Sequence, residues 1–472
     1  MLFNAFYLLN YFRINDPYRL LGLLVILLAI YLPLFIDSTD MTYPELRSIL
    51  VGEKVHEGNA MYTELIDSTG PLAGWFNGFV DVLFGRSLLA RHILAFFIIF
   101  SQAAYLGIVF ANKKAFAESS YIPSLIFAIL FAFSFDTLSL TPELVGFGFL
   151  LPALNNLFKE VEFREQRDES IFNLGLYISV ASLFAFSYSV YFFGALITLI
   201  TFTRSSPRKY FLLTLGFILP HLFLISSYFL MDGLPDLWTY YYAPNLSFKS
   251  LSYTSASTLW TLTALPLTFL VVSFFMLNRD ARLSKYQTQL VQSMFFWTIF
   301  SVLQVLYSKD FRPQNFITLI PSLSFFITHF LLLIRKKRIA EISVWILLTG
   351  CVSISYLARY DALGNVDYKP LYVSAIDKEK RGKTMLVLDD DWSIYKYNKL
   401  ASPFLNWELS NEIFSHPQYY ENIITVYDGF KVNPPDIIRD KNDLLRPFLD
   451  RIPELKKEYT KTGVYYQRNT LP

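Results

Sequence analysis

Cysteine is almost missing from this chain. Its single thiol, Cys351, lies inside an apolar run, so neither an internal disulfide nor a cysteine-based zinc site is available. Histidine is sparse too. The five present (His56, His92, His221, His329 and His416) show no HExxH spacing, which excludes that metalloprotease motif. Charge is also low: Asp, Glu, Lys and Arg make up 17% of the 472 residues, against about 25% in soluble domains, and they clump between long apolar runs. A net charge of +2 gives no footprint for nucleic acid as a partner. No internal repeat or low-complexity tract is visible. What fills the sequence is hydrophobic residues, 53% of the chain, with 18% aromatic. That is the composition of a polytopic membrane protein. No small-residue cleavage site follows the first long apolar run, so the expectation is an uncleaved first span rather than a signal peptide.

A helix crossing the hydrocarbon core needs about 20 mostly apolar residues. Eleven runs approach that length: roughly 20–36, 92–111, 120–135, 144–158, 172–187, 189–203, 210–231, 259–277, 290–307, 315–334 and 339–359. The fifth and sixth form one stretch, divided near "SYSVY" because an undivided helix would overshoot the bilayer. Lys and Arg set the sidedness. With the N-terminus cytoplasmic, the inner loops are "ANKKAF", "FKEVEFREQRDES", "TRSSPRKY", "LNRDARLSKYQ" and "IRKKRIA", each with at least two cations. The outer segments are then the acidic first loop, "FDTLSLTPE", the aromatic stretch after Met231, "YSKDFRPQ" and the tail.

The tail from about residue 360 has no span. It alternates short β-like runs ("MLVL", "IITVY", "DIIRD", "VYYQR") with polar helical patterns, which reads as a small α/β domain. The expected fold class is a mainly α polytopic membrane protein of about eleven transmembrane helices over residues 1–359, with a C-terminal α/β extracytoplasmic domain over 360–472. The expected compartment is a bacterial inner membrane.

Residues 37–91 form a long first outer loop. Its first part, "DSTDMTYPELRSILVGEKVHEGNAMYTELIDSTGPL", carries seven carboxylates: Asp37, Asp40, Glu45, Glu53, Glu57, Glu64 and Asp67. A single acid in such a loop needs only water to explain it; the whole set asks for more. "PELRSILVGEKVHEG" has apolar residues at helical spacing, and "GPLAGWFNGFVDVLFG" is aromatic-rich and amphipathic. Both read as helices lying in the membrane interface, where an amphiphilic substrate meets a soluble one.

The order of these features resembles the GT-C glycosyltransferases, in the branch of protein mannosyltransferases and aminoarabinose transferases. An acidic residue begins a helix after the first span (Glu45), followed by "MYTELIDSTGPL" and "LFGRSLLARH". Later matches are "LTPELVGFGFLLPALN", "DFRPQNFITLIPSLSFFITHFLL" and, in the tail, "LVLDDDWSIYKYNKLASPF" and "NPPDIIRDKNDLLRPFLD". The resemblance implies a GT-C-like fold and transfer of a sugar from a polyprenyl-phosphate donor to a glycan, lipid or protein acceptor on the outer face. A carboxylate serves as general base there, and cationic groups stabilise the leaving phosphate.

By the same resemblance, Glu45 falls nearest the family's acid pair and is the expected base, with Pro44 where the pair has Asp; Asp40 is its rival. Glu64 and Asp67 match the acids before the Pro71–Leu72 turn, and position the acceptor or a divalent cation. The aminoarabinose branch has Lys before that proline, where this chain has Gly70. The expected substitute at the donor phosphate is Arg312 in "KDFRPQ", backed by Lys309, Arg86 and Arg91, since arginine offers bidentate geometry. Arg312, Arg86 and Arg91 also have the simpler reading of interface anchors.

Glu143 in "TPEL", and similarly Asp136, is either a cavity-facing substrate contact or part of a helix start with Thr141 and Pro142. "LDDDW" looks like a metal-binding DxD, but the tail is too short for a nucleotide-sugar domain, so a strand end feeding a capped helix fits better. "WTYYYAPNLSF" suits either sugar stacking or an interfacial aromatic belt. Two other functional classes fit the composition: a flippase for lipid-linked saccharide, and a non-catalytic scaffold of the same fold.

Overall fold

The computed structural model describes residues 8–37, 41–162, 167–202, 206–248, 251–252, 254–373, 382–401 and 403–469. The chain divides into two compact units, one of Met1–Thr39, Ser87–Leu224 and Phe248–Leu371, the other of Asp40–Arg86, Ile225–Ser247 and Tyr372–Pro472.

The first unit is helical. Each of the eleven apolar runs falls on a helix: Arg19–Ile36, Leu88–Asn112, Ile122–Phe131, Pro142–Val161, Asp168–Phe184, Val190–Phe202, Pro207–Leu230, Ala256–Asp280, Lys285–Tyr307, Ile320–Leu333 and Lys337–Arg359. The division near "SYSVY" is real: a 3-10 turn, Phe186–Ser189, separates the fifth helix from the sixth. Among the described residues, seven helices are long and apolar enough to cross a membrane. The chain is therefore an integral membrane protein, in which helices keep every backbone group bonded internally. Polar side chains close several helix starts, with Ser87, Thr141 and Ser255 accepting from backbone N–H groups and Ser284 forming a capping box with Gln287.

Helices of this unit differ in what they face. Ile122–Phe131 is buried at all ten positions, whereas Arg19–Ile36 exposes Leu21, Val25, Leu28 and Leu32 at helical spacing, a lipid-facing stripe. Small residues allow close crossings, as expected where lipid gives no hydrophobic drive between helices. A Cβ at Gly175 would lie 2.2 Å from the Leu213 carbonyl oxygen, and one at Gly216 would lie 2.2 Å from that of Phe172.

The second unit is built on a five-stranded sheet. Its strands are β1 (Thr384–Val387), β2 (Lys399–Leu400), β3 (Ile437–Arg439), β4 (Tyr459–Thr462) and β5 (Tyr465–Arg468), in the order β2-β1-β3-β5-β4. β1 runs parallel to β2 and β3, and β5 is antiparallel to β3 and β4. The core joins Leu386, Ile438, Phe404, Phe414, Phe430 and Phe448 from the tail to Ile66 from the first loop. Backbone bonds fix that loop in the same unit: Ile66 N–H donates to Pro403 O (2.8 Å), Asn406 N–H to Ile66 O (3.1 Å) and Val373 N–H to Met41 O (2.9 Å).

The units thus divide the chain differently from the expected boundary at residue 360. Residues 360–371 belong to the helical unit, tied there by Tyr368 to Ser134 (2.6 Å) and by the Asp367 N–H to Thr258 (3.1 Å). Residues 40–86 and 225–247 go with the tail.

Candidate functional site

In the helical unit, charge gathers around Arg312, which is 3% exposed and precedes the 3-10 helix Pro313–Leu319. Its guanidinium donates to Glu143 Oε1 at 2.6 Å. Glu143 stands in the first turn of Pro142–Val161, behind the Thr141 cap and Pro142, as the helix-start reading has it. Tyr188 hydroxyl donates to the Glu143 carbonyl at 2.9 Å.

Asp136 lies close by in sequence and is buried. It accepts from Ser134 hydroxyl through Oδ1 and from Gln314 N–H through Oδ2 (3.2 Å). Burial pushes its carboxyl up to about 6, a rise that the Ser134 hydrogen bond and the Arg312 charge only partly offset. Two buried acceptors here, Glu143 Oε2 and Gln314 Oε1, have no hydrogen-bond donor among the described residues. Leaving such an atom unsatisfied costs about 1–3 kcal/mol, so each has capacity to accept one more hydrogen bond. Lys309, half-buried, lies three residues before Arg312.

In the other unit, the expected interfacial segments are both helices, Tyr43–His56 and Pro71–Phe84. Trp75, Phe79, Val82 and Leu83 form an exposed apolar stripe on the second. Its opposite face meets the first helix so closely that a Cβ at Gly52 would lie 2.6 Å from Asn77 O. Glu45 is 4% exposed and closes a capping box: its Oε2 accepts from Thr42 N–H and from Thr42 hydroxyl, both at 2.9 Å. The T-x-x-E spacing of Thr42 to Glu45 is the signal for this box. Asp40 lies outside the described residues.

Asp67 is fully buried and gripped by Arg47, whose Nε and Nη2 each donate at 3.0 Å, while Thr69 N–H adds a bond of 2.7 Å. Arg47 had no place in the sequence expectation, because a fork closing over 20 residues of loop leaves no periodic trace. Glu64 is exposed, and its carboxylate accepts from Ala60 N–H at 2.7 Å, capping the turn.

Arg86, expected at the donor phosphate, turns its guanidinium to partners within the protein. Nε and Nη2 bind Glu53, Nη1 donates to the carbonyls of Tyr395 and Lys396, and Nη2 also donates to Asn398 O. An arginine has five N–H donors, and all five are used within the protein. Arg91 is buried in the helix Leu88–Asn112.

The aromatic stretch after Met231 forms a π-helical turn, Leu237–Tyr242. Tyr241 stacks on Tyr62 with ring centres 5.5 Å apart. Tyr62 adopts φ +70°, a left-handed conformation rare for a bulky residue, and its hydroxyl donates to Thr69 O at 2.7 Å. In the tail, Asp391 caps the 3-10 helix Trp392–Lys396 and, with Asp389, pairs with Arg439, as a strand end feeding a capped helix requires. Among the described residues, no three His, Cys, Asp or Glu side chains group as a metal site.

No protein-family model matches the sequence, and no curated protein sequence does. Among solved structures, the chain is similar to ArnT from Cupriavidus metallidurans bound to undecaprenyl phosphate, with a TM-score of 0.53 at 12% identity over 90% of this chain and 95% of that one. It is also similar to the oligosaccharyltransferase AglB from Archaeoglobus fulgidus in complex with an inhibitory peptide and a dolichol-phosphate. There the TM-score is 0.44 at 10% identity, over 96% of this chain and 75% of that one. The chain shares the fold of that ArnT structure.

Proposed function

On the premise of this fold, we propose that the chain is a membrane glycosyltransferase that takes a sugar from a polyprenyl-phosphate donor and passes it to a glycan, lipid or protein acceptor on the outer face. The undecaprenyl phosphate carried by the similar ArnT structure supports the donor class. The observation that carries the reading is Arg312, a buried cation in a membrane protein, held at 2.6 Å by a carboxylate with one oxygen unsatisfied. Ionisable residues in such surroundings are expensive and are kept for function.

In the transfer, the bond between the anomeric carbon and the phosphate oxygen breaks, and its electron pair leaves with polyprenyl phosphate. The acceptor hydroxyl forms the new bond and gives its proton to a carboxylate. Arg312, with Lys309 nearby in sequence, stabilises charge on the departing phosphate. Two carboxylates compete for the role of base. Glu143 has the unsatisfied oxygen in its favour; Glu45 has the resemblance. We read the eleven helices as eleven crossings of a bacterial inner membrane, with the N-terminus cytoplasmic and the tail extracytoplasmic.

The test uses purified protein in nanodiscs with polyprenyl phosphate, and with a labelled polyprenyl-phosphate sugar together with glycan, lipid and peptide acceptors. Wild type is expected to bind the carrier and release label from it, and Arg312→Ala to do neither while keeping its fold. Carrier binding unchanged in Arg312→Ala removes that residue from the site. Labelled donor that crosses between leaflets without losing its sugar identifies a flippase instead.

A further inference from the structure

The helical unit holds a second feature, lined by none of the residues singled out above. A cavity of about 590 Å³ is lined by residues of the helices Val190–Phe202, Ala256–Asp280, Lys285–Tyr307 and Ile320–Leu333. Its volume is within the range of small-ligand sites, roughly 300–1,000 Å³. Phe274, Leu277, Phe295 and Phe326 form apolar walls, and the amides of Asn278 and Gln292 also line it.

Charge changes abruptly at Asn278. The segments 278–285 and 335–338 carry seven cations (Arg279, Arg282, Lys285, Arg335, Lys336, Lys337 and Arg338) against one carboxylate, Asp280. That carboxylate is already occupied: Arg279 bonds it at 2.7 Å, and the charge of Arg335 also acts on it. Arg282, Lys285 and Arg335 to Arg338 are all exposed. An aromatic cavity ending at a cationic rim matches an amphiphile with an apolar tail and an anionic head. A free anion has no use for phenylalanine walls, and a zwitterionic lipid leaves the rim charge unanswered. Basic pockets of this kind between membrane helices, on the cytoplasmic side, suit anionic headgroups. By the distribution of Lys and Arg, this rim is at the cytoplasmic end.

We infer that this cavity is a binding site for one anionic glycerophospholipid, with an acyl chain among Phe274, Phe295 and Phe326 and the headgroup against Arg282 and Arg335. The inference needs only a membrane-embedded chain and stands whether or not the enzyme reading holds.

Native mass spectrometry of the full chain tests it, with phosphatidylglycerol or phosphatidylcholine supplied in detergent. One retained phosphatidylglycerol is expected, preferred over phosphatidylcholine by about tenfold. The double variant Arg282→Glu/Arg335→Glu is expected to lose the preference. Leu277→Trp, which crowds the apolar walls and keeps the rim, is expected to weaken retention of both lipids. Unfolding temperature in zwitterionic detergent checks that each variant folds. Equal retention of both lipids by wild type overturns the inference, as does retention that survives both variants. Displacement of the retained lipid by polyprenyl phosphate at equal concentration also overturns it, since the cavity then takes the carrier.

Discussion

Arg312 and Glu143 are 169 residues apart in sequence and 2.6 Å apart in the fold. Both sides of the pair are largely withdrawn from water, with 4% of the Arg312 side chain and 17% of the Glu143 side chain exposed. Breaking such a pair leaves one charge stranded, which typically costs about 3–5 kcal/mol. Glu143→Ala is therefore expected to lower unfolding free energy by about that amount. The double variant Glu143→Ala/Arg312→Ala should lose less than the two single losses combined. Denaturant unfolding in detergent gives all four corners of the cycle. Full additivity would mean that the two charges do not meet.

Glu45 has two separable jobs, because glutamine can replace glutamate at the third position of a capping box. Glu45→Gln keeps the bonds to Thr42 and removes the basic oxygen. It is expected to fold like wild type, and to abolish sugar release if Glu45 rather than Glu143 is the base. Glu45→Ala loses the reciprocal half of the cap as well, at a cost of about 1 kcal/mol. Comparing sugar release by Glu45→Gln with that by Glu143→Gln decides between the two acids. Activity retained in both variants would leave neither as the base.

The helices were legible because hydropathy is a local property. Even the break between Phe184 and Val190 announced itself through "SYSVY", where an undivided run exceeds the bilayer. Glu143 and Arg312 could be singled out one at a time, as charges beside apolar runs. Their pairing could not, since nothing in a sequence measures contact across 169 residues. The partners of Arg86 were hidden for the same reason: beside a span it resembles a phosphate ligand, and only the fold reveals Glu53 and three carbonyls around it. Ile66 shows why a division read along the chain cannot register the grouping in the fold. It reads as one apolar residue in an acidic loop, yet it belongs to the core of a sheet more than 300 residues further on.

Asp136 should leave a mark on the pH dependence of stability. Burial raises its folded-state value from the ordinary 3.8 to about 6. Between those values the folded chain keeps a proton that the unfolded chain has lost. Stability therefore falls as pH rises through the window, by about 3 kcal/mol in all. Asp136→Asn never ionises and lacks this loss. The unfolding free energy of the Asn variant relative to wild type is expected to shift in its favour between pH 4 and pH 7, and to level off above. A difference flat across that range would mean that Asp136 ionises like an exposed carboxylate.

Arg86 supplies the sharpest contrast between binding and holding. Its side chain joins Glu53 on the helix Tyr43–His56 to the backbone of residues 395, 396 and 398 beside the sheet, all within one unit. Lysine keeps the positive charge and gives up the planar fork, so one ammonium cannot reach Glu53 and three carbonyls together. Carbonyls left without donors, each worth about 1–3 kcal/mol when buried, then loosen the attachment. Arg86→Lys is expected to destabilise the protein by about 2–4 kcal/mol and to speed proteolysis near residues 395–398. Affinity of the folded variant for polyprenyl phosphate should stay at the wild-type value, because no Arg86 donor is left to contact a ligand. Weakened carrier binding with unchanged proteolysis would return Arg86 to the phosphate site that its position in the sequence first suggested.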